Sequence, residues 1–99
     1  MTTWPVLTEA LYLLGPDPTA GDRVLDKVES GSIRLASLDS EDVPAIRALL
    51  TKYRDLPMDL ADATLVHVAN RERLETVFTL DSDFTVYRRE GGSPFDVRP

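Results

Sequence analysis

The sequence has no cysteine and only one histidine, His67, among its 99 residues. Disulfide bonds and thiolate metal sites are therefore excluded, and so are metal motifs such as His-Glu-x-x-His that need two histidines. The lack of cysteine fits a reducing compartment, and we predict a cytoplasmic protein. No secretory signal is visible at the N-terminus and no apolar run is long enough to span a bilayer, so we expect no membrane association.

Positive charge is also scarce. Lysine and arginine number 11 against 17 aspartates and glutamates, which gives a formal net charge of -6. This balance argues against a generally basic nucleic-acid-binding protein. It does not exclude a nuclease, because a carboxylate site that holds a metal ion can be locally neutral or positive within an acidic molecule. The length predicts a single domain, residues 1–99.

Helical and strand-like segments alternate along the chain, which predicts an α/β domain with a parallel sheet. Apolar spacing and capping residues predict four helices, over about residues 4–14, 17–30, 39–54 and 59–71. Short apolar runs predict strands over residues 33–38 and 76–80, and a further short strand formed by Phe84, Val86 and Tyr87. Residues 91–94 are expected to form a loop before a short tail.

The first predicted helix is apolar over much of its surface and should be well buried. Glu9 is the only acid inside it. Two interpretations of Glu9 stay open: it faces solvent on a narrow polar stripe, or it has a functional role.

The helix that starts near Asp59 carries two acids, Asp59 and Asp62, at positions i and i+3. This spacing lets both side chains project from one side of the first turn. Asp59 is either the helix cap or a site residue. Asp62 lies between Ala61 and Ala63, whose small side chains allow a neighbouring element to approach, so we expect Asp62 to point into a cleft. His67, in the middle of the same helix, is expected to pack or to lie at the surface.

Two further acids follow the strand predicted over residues 76–80. Asp81 comes directly after this strand, and ligands of open parallel sheets bind beyond the carboxyl ends of the strands. Asp83 is either a turn residue or a second acid of the site. Clustered carboxylates repel one another unless they hold a cation, and Mg²⁺ and Mn²⁺ prefer such oxygen ligands.

Three segments resemble the PIN-domain family, which includes the toxin ribonucleases of VapBC toxin–antitoxin pairs. They are Trp-Pro-Val-Leu-Thr-Glu-Ala from residue 4, Met-Asp-Leu-Ala-Asp-Ala from residue 58, and Val-Phe-Thr-Leu-Asp-Ser-Asp-Phe from residue 77. The resemblance implies a three-layer α/β/α fold with a short parallel sheet. It also implies a Mg²⁺- or Mn²⁺-dependent ribonuclease that hydrolyses RNA phosphodiesters with a metal-activated water, and an antitoxin protein as a partner.

The resemblance further assigns roles to the acids. Glu9 matches the early-helix acid of the family, Asp62 the later-helix acid and Asp81 the strand-end acid, so these three are the implied catalytic and metal-binding residues. Asp59 matches a family-variant neighbour of the later-helix acid and Asp83 a second acid near the strand end, and both are included among the candidate metal ligands.

One family element has no counterpart in this sequence. PIN domains open with an apolar strand that ends in aspartate, and this chain begins at a later segment, so we expect either an N-terminally truncated domain or a longer natural protein for which Met1 is a misplaced start. Such a domain would expose open strand edges and form a homo-oligomer. Whether it is an active enzyme stays open at this stage. The alternative is an inactive PIN domain that serves as a protein-interaction or oligomerisation module, with its acids splayed or paired with arginines.

Overall fold

The structure, a computed structural model, describes residues 1–98 apart from the side chains of Ser82 and Asp83. Its helices are α1 (Trp4–Leu13), α2 (Pro18–Glu29), α3 (Val43–Lys52) and α4 (Leu60–Glu72), and its strands are β1 (Thr76–Phe78) and β2 (Asp96–Arg98). Short 3-10 turns span Ser40–Asp42 and Ser82–Val86. The predicted α/β fold with a short parallel sheet is confirmed. None of the described helices is long and apolar enough to cross a membrane.

The parallel sheet joins distant parts of the chain. Strands β1 and β2 pair in parallel, with Val77 opposite Val97. The N-terminus extends this arrangement, because the Phe78 backbone N–H donates to the Met1 carbonyl at 2.9 Å. Thr2 in turn forms an isolated parallel bridge with Leu35. The first residues of the chain therefore lie between β1 and the segment around Leu35.

Two strand predictions are wrong. The strand expected over residues 33–38 is reduced to the bridge at Leu35, because its partner segment turns into α1 at Trp4 and offers no longer edge. The strand expected from Phe84, Val86 and Tyr87 is replaced by the 3-10 turn Ser82–Val86. This turn buries the rings of Phe84 and Tyr87 and leaves Val86 46% exposed. The C-terminal tail, for which no strand was predicted, forms β2.

The core is built around α4. Eight of its residues are buried, including Leu65 and Val66, which pack with Val77, Phe84 and Tyr87. The other helices are less buried than the sequence suggested.

Helices α1 and α2 illustrate this difference. On α1, Trp4 is 60% exposed and Tyr12 83% exposed, so the helix buries one side only. On α2, Leu25 is 40% exposed and only Gly21 is buried, where a Cβ atom would lie 2.9 Å from the tip of the Leu11 side chain of α1.

A polar network ties the start of α3 to α4. Asp39 and Asp42 form a reciprocal capping box. The side chain of Asp39 accepts the backbone N–H of Asp42, and the side chain of Asp42 accepts the backbone N–H of Asp39. The Oδ1 atom of Asp42 also lies 2.7 Å from His67 Nε2 and accepts from Arg71 Nη1 at 3.0 Å. The hydrogen bond with His67 is the main cause that lowers the pKa of Asp42 to about 2. His67 therefore has a specific hydrogen-bonding partner, beyond the general packing role expected for it.

We expect Asp42→Asn to lower the melting temperature by roughly 5 °C at about pH 7, because asparagine retains a cap acceptor but loses the ion pair with Arg71 and the charged acceptor for His67. Folding lowers the pKa of Asp42, so its contribution is present above the ordinary pKa and is lost as the pH falls toward about 2. Circular dichroism melts over this pH range should show the deficit shrinking in acid. Glu41→Gln, which changes an exposed acid of the same turn, is the control and should melt like the parent at every pH.

Candidate metal centre

The N-terminus of α4 is fixed by a second reciprocal capping box. Asp59 Oδ1 accepts the backbone N–H of Asp62 at 2.9 Å, and Asp62 Oδ2 accepts the backbone N–H of Asp59 at 3.2 Å. The Asp-x-x-Asp spacing produces this geometry locally, and the partial positive charge of the helix N-terminus favours both carboxylates. Asp59 is therefore a helix cap and also lies beside Asp62, so its two interpretations do not exclude each other.

Helix α1 brings the third acid. The hydroxyls of Thr3, which precedes α1, and Thr64, within α4, lie 2.9 Å apart in a buried hydrogen bond. Thr64 donates to the Ala61 carbonyl at 2.7 Å, so Thr3 is the donor between the two hydroxyls. This contact fixes α1 against α4. One ligand oxygen from each of Glu9, Asp59 and Asp62 then lies within 4.8 Å of the others.

The electrostatics of this acidic cluster (Glu9, Asp59 and Asp62) are unfavourable without a cation. Burial, followed by the negative charges of Asp59 and Asp81, raises the pKa of Asp62 to about 7. Burial and the same two charges also raise the pKa of Glu9. No lysine, arginine or histidine within the described part of the chain forms an ion pair with the cluster.

The two remaining predicted acids are placed differently. Asp81 is half-buried, its backbone N–H donates to Thr79 Oγ1 at 3.1 Å, and its charge raises the pKa values of Glu9 and Asp62. Asp81 is therefore adjacent to the acidic cluster, but it is not one of the residues whose ligand oxygens lie within 4.8 Å of one another. The side chain of Asp83 lies outside the described residues.

Sequence reasoning missed one residue of this site. The hydroxyl of Tyr87, predicted to belong to a strand, donates to Asp62 Oδ2 at 3.4 Å. Burial and the neighbouring acids raise the pKa of this phenol, so it stays protonated and can act only as a donor toward Asp62. A buried tyrosine hydroxyl usually has a hydrogen-bond partner, and this tendency was the signal available in the sequence.

Comparison with known proteins identifies the family. The family model of the PIN domain matches residues 1–90. The chain belongs to the PIN-domain family. It is also 35% identical over 77 residues to a protein named Ribonuclease VapC26 from Mycobacterium tuberculosis (strain ATCC 25618 / H37Rv). That alignment covers 77% of this chain and 57% of the relative, so the matched region spans little more than half of the relative's length. The resemblance drawn from the three motifs is confirmed.

The acidic cluster of this PIN domain suits a hard divalent cation. Mg²⁺ binds oxygen at about 2.1 Å, so neighbouring ligands of an octahedral ion are about 3.0 Å apart and opposite ligands about 4.2 Å apart. The oxygens of Glu9, Asp59 and Asp62 lie within 4.8 Å of one another, so an ion would draw them together by up to about 2 Å. All three donors are carboxylates, which are preferred by Mg²⁺ and Mn²⁺ over softer metals.

The opposite environments of the two capping boxes yield a stability prediction. We expect Asp62→Asn to raise the melting temperature in EDTA by roughly 4 °C at about pH 7.5, because it removes a charge that burial and two acids disfavour. Asp42→Asn, the matched change in the other box, should lower it.

The pH dependence follows from the raised pKa. Folded Asp62 retains its proton up to about pH 7, whereas the unfolded carboxyl loses it near its ordinary value of 3.8. The stability cost of Asp62 is therefore absent in acid and grows as the pH rises toward 7, so the gain from Asp62→Asn should vanish at about pH 4. Asp22→Asn, at an exposed acid of α2, controls for net charge. A gain that is equal at both pH values would contradict the assignment.

Proposed function

We propose that this PIN domain carries the site of a Mg²⁺- or Mn²⁺-dependent ribonuclease that hydrolyses RNA phosphodiesters. The observation that carries the proposal is the convergence of Glu9, Asp59 and Asp62 within 4.8 Å. An inactive domain would be expected to splay these acids or to pair them with arginines. Neither arrangement occurs among the described residues, since the ion pairs of the arginines involve other acids.

The acids would act first by holding the ion. In this proposal Glu9, Asp59 and Asp62 provide the ligands, and Asp81 adds negative charge beside them. A divalent cation, when bound, withdraws charge from the scissile phosphate and lowers the pKa of a water molecule. The acidic cluster alone would repel the phosphodiester, so substrate binding and metal binding are coupled at this site. Without the ion the pKa of Asp62 is raised to about 7, and a bound cation would favour the ionised form of this carboxylate.

The name of the relative supports the substrate class. A protein 35% identical over 77 residues is named a ribonuclease, which favours RNA as the substrate of this chain. The same name places that relative among VapC proteins, and we extend the proposal to an antitoxin protein as a partner. A homo-oligomeric state and a cytoplasmic location stay predictions from the sequence.

The exposed face of α1 favours a second candidate function, that of a protein-interaction module. Trp4 is 60% exposed and Tyr12 83% exposed, and large apolar side chains on a surface commonly contact other proteins. This function does not need an intact acidic cluster, so the activity test separates it from the first.

We expect single-turnover cleavage of RNA in the presence of Mn²⁺ to be abolished by EDTA. Glu9→Gln and Asp62→Asn should each reduce the rate by about 100-fold or more, because each removes a charged ligand and loosens the position of the ion. Asp22→Asn, which removes an exposed acid remote from the acidic cluster in sequence, should cleave at the parent rate.

Two results would contradict this assignment. EDTA-sensitive cleavage that survives both substitutions would mean that the reaction uses another site. Mn²⁺ binding that depends on Glu9 and Asp62 but is accompanied by no cleavage would favour the interaction module.

A further inference from the structure

The ring of Tyr87 is held rigidly in the core. Its relative exposure is 0%, and it packs edge-on against two other aromatic rings. The ring centre of Tyr53 lies 5.2 Å away at an interplanar angle of 69°, and that of Phe84 lies 5.3 Å away at 80°. A side chain packed in this way has little freedom to move its hydroxyl.

That hydroxyl reaches one oxygen of one acid. The Tyr87 hydroxyl donates to Asp62 Oδ2 at 3.4 Å, and the backbone N–H of Asp59 donates to the same atom at 3.2 Å. Oδ2 is thus held by a backbone donor on its own helix and by a side chain from a different part of the chain. Among the described residues, both the Asp59 N–H and the Tyr87 hydroxyl donate to Oδ2 rather than to Oδ1.

We propose that Tyr87 is a positioning residue for Asp62 in the metal centre. By donating to Oδ2, the phenol fixes the plane of the carboxylate and leaves Oδ1 as the oxygen for the cation. This inference rests on the proposed function, because it assumes that the acidic cluster holds a divalent ion.

Tyr53 provides an internal comparison. It belongs to the same aromatic group, but its hydroxyl accepts the backbone N–H of Arg88 at 3.4 Å. The two tyrosines therefore differ in what their hydroxyls contact, one an acid of the cluster and the other a backbone group. Replacing either by phenylalanine removes one oxygen and leaves the ring in place.

The test compares Tyr87→Phe with Tyr53→Phe in the full chain. Mn²⁺ affinity is measured by titration with electron paramagnetic resonance of the free ion, and stability by thermal melts in EDTA. We expect Tyr87→Phe to weaken Mn²⁺ binding by about 10-fold, as is typical when a group that orients a metal ligand is lost. Tyr53→Phe should bind Mn²⁺ as the parent does, and the two melting temperatures should be similar.

A spectroscopic measurement tests the contact in the parent protein, without dependence on how a variant folds. Mg²⁺ binding should alter the near-ultraviolet tyrosine absorbance, because the ion withdraws charge from the carboxylate that Tyr87 contacts. The same difference spectrum should appear in Tyr53→Phe.

The outcomes separate this inference from the proposed function. If the parent binds Mn²⁺ and Tyr87→Phe binds it equally well, or if the parent shows no tyrosine difference spectrum, the positioning role is overturned while the metal site stands. If the parent binds no Mn²⁺, the proposed function fails, and the positioning role fails with it.

Discussion

The structure depends on the reciprocal cap at the start of α4. This cap holds Asp59 and Asp62 side by side at the end of the most buried helix of the chain. Helix α4 packs against α1, α3 and β1, so its first turn is connected through the helix to most of the core. The same cap presents two carboxylates to Glu9, so the element that organises the fold also organises the candidate metal centre.

The chain contains the same local motif twice, with opposite electrostatic results. Asp39 and Asp42 form one capping box, and Asp59 and Asp62 form the other. Contacts with His67 and then other donors lower the pKa of Asp42 to about 2, whereas burial and neighbouring acids raise the pKa of Asp62 to about 7. The first box is therefore neutralised within the protein. The second accumulates negative charge, which is unfavourable for stability and favourable for binding a cation.

Much of the fold was predictable because it depends on local signals. The four helices were anticipated because apolar spacing and, for α2 and α4, a capping side chain lie within each segment. The strand errors have a different cause, since strand formation needs a partner from elsewhere in the chain. Within the described residues, Leu35 pairs only with Thr2. The C-terminal tail forms β2 because it pairs with the edge of β1. Neither partner could be identified from the segment itself.

The candidate site, like the fold, has features that depend on local sequence and features that depend on contacts between distant segments. The sequence alone determined the Asp-x-x-Asp cap, the acid content of each helix and, through three motifs, membership of the PIN-domain family. Only the tertiary structure decided that Glu9 meets Asp59 and Asp62, and that Tyr87, 25 residues after Asp62, donates to it. The physical reason is that a pKa or a metal site depends on the groups that surround a carboxylate in space. In this chain those groups come from α1, α4 and the segment after β1.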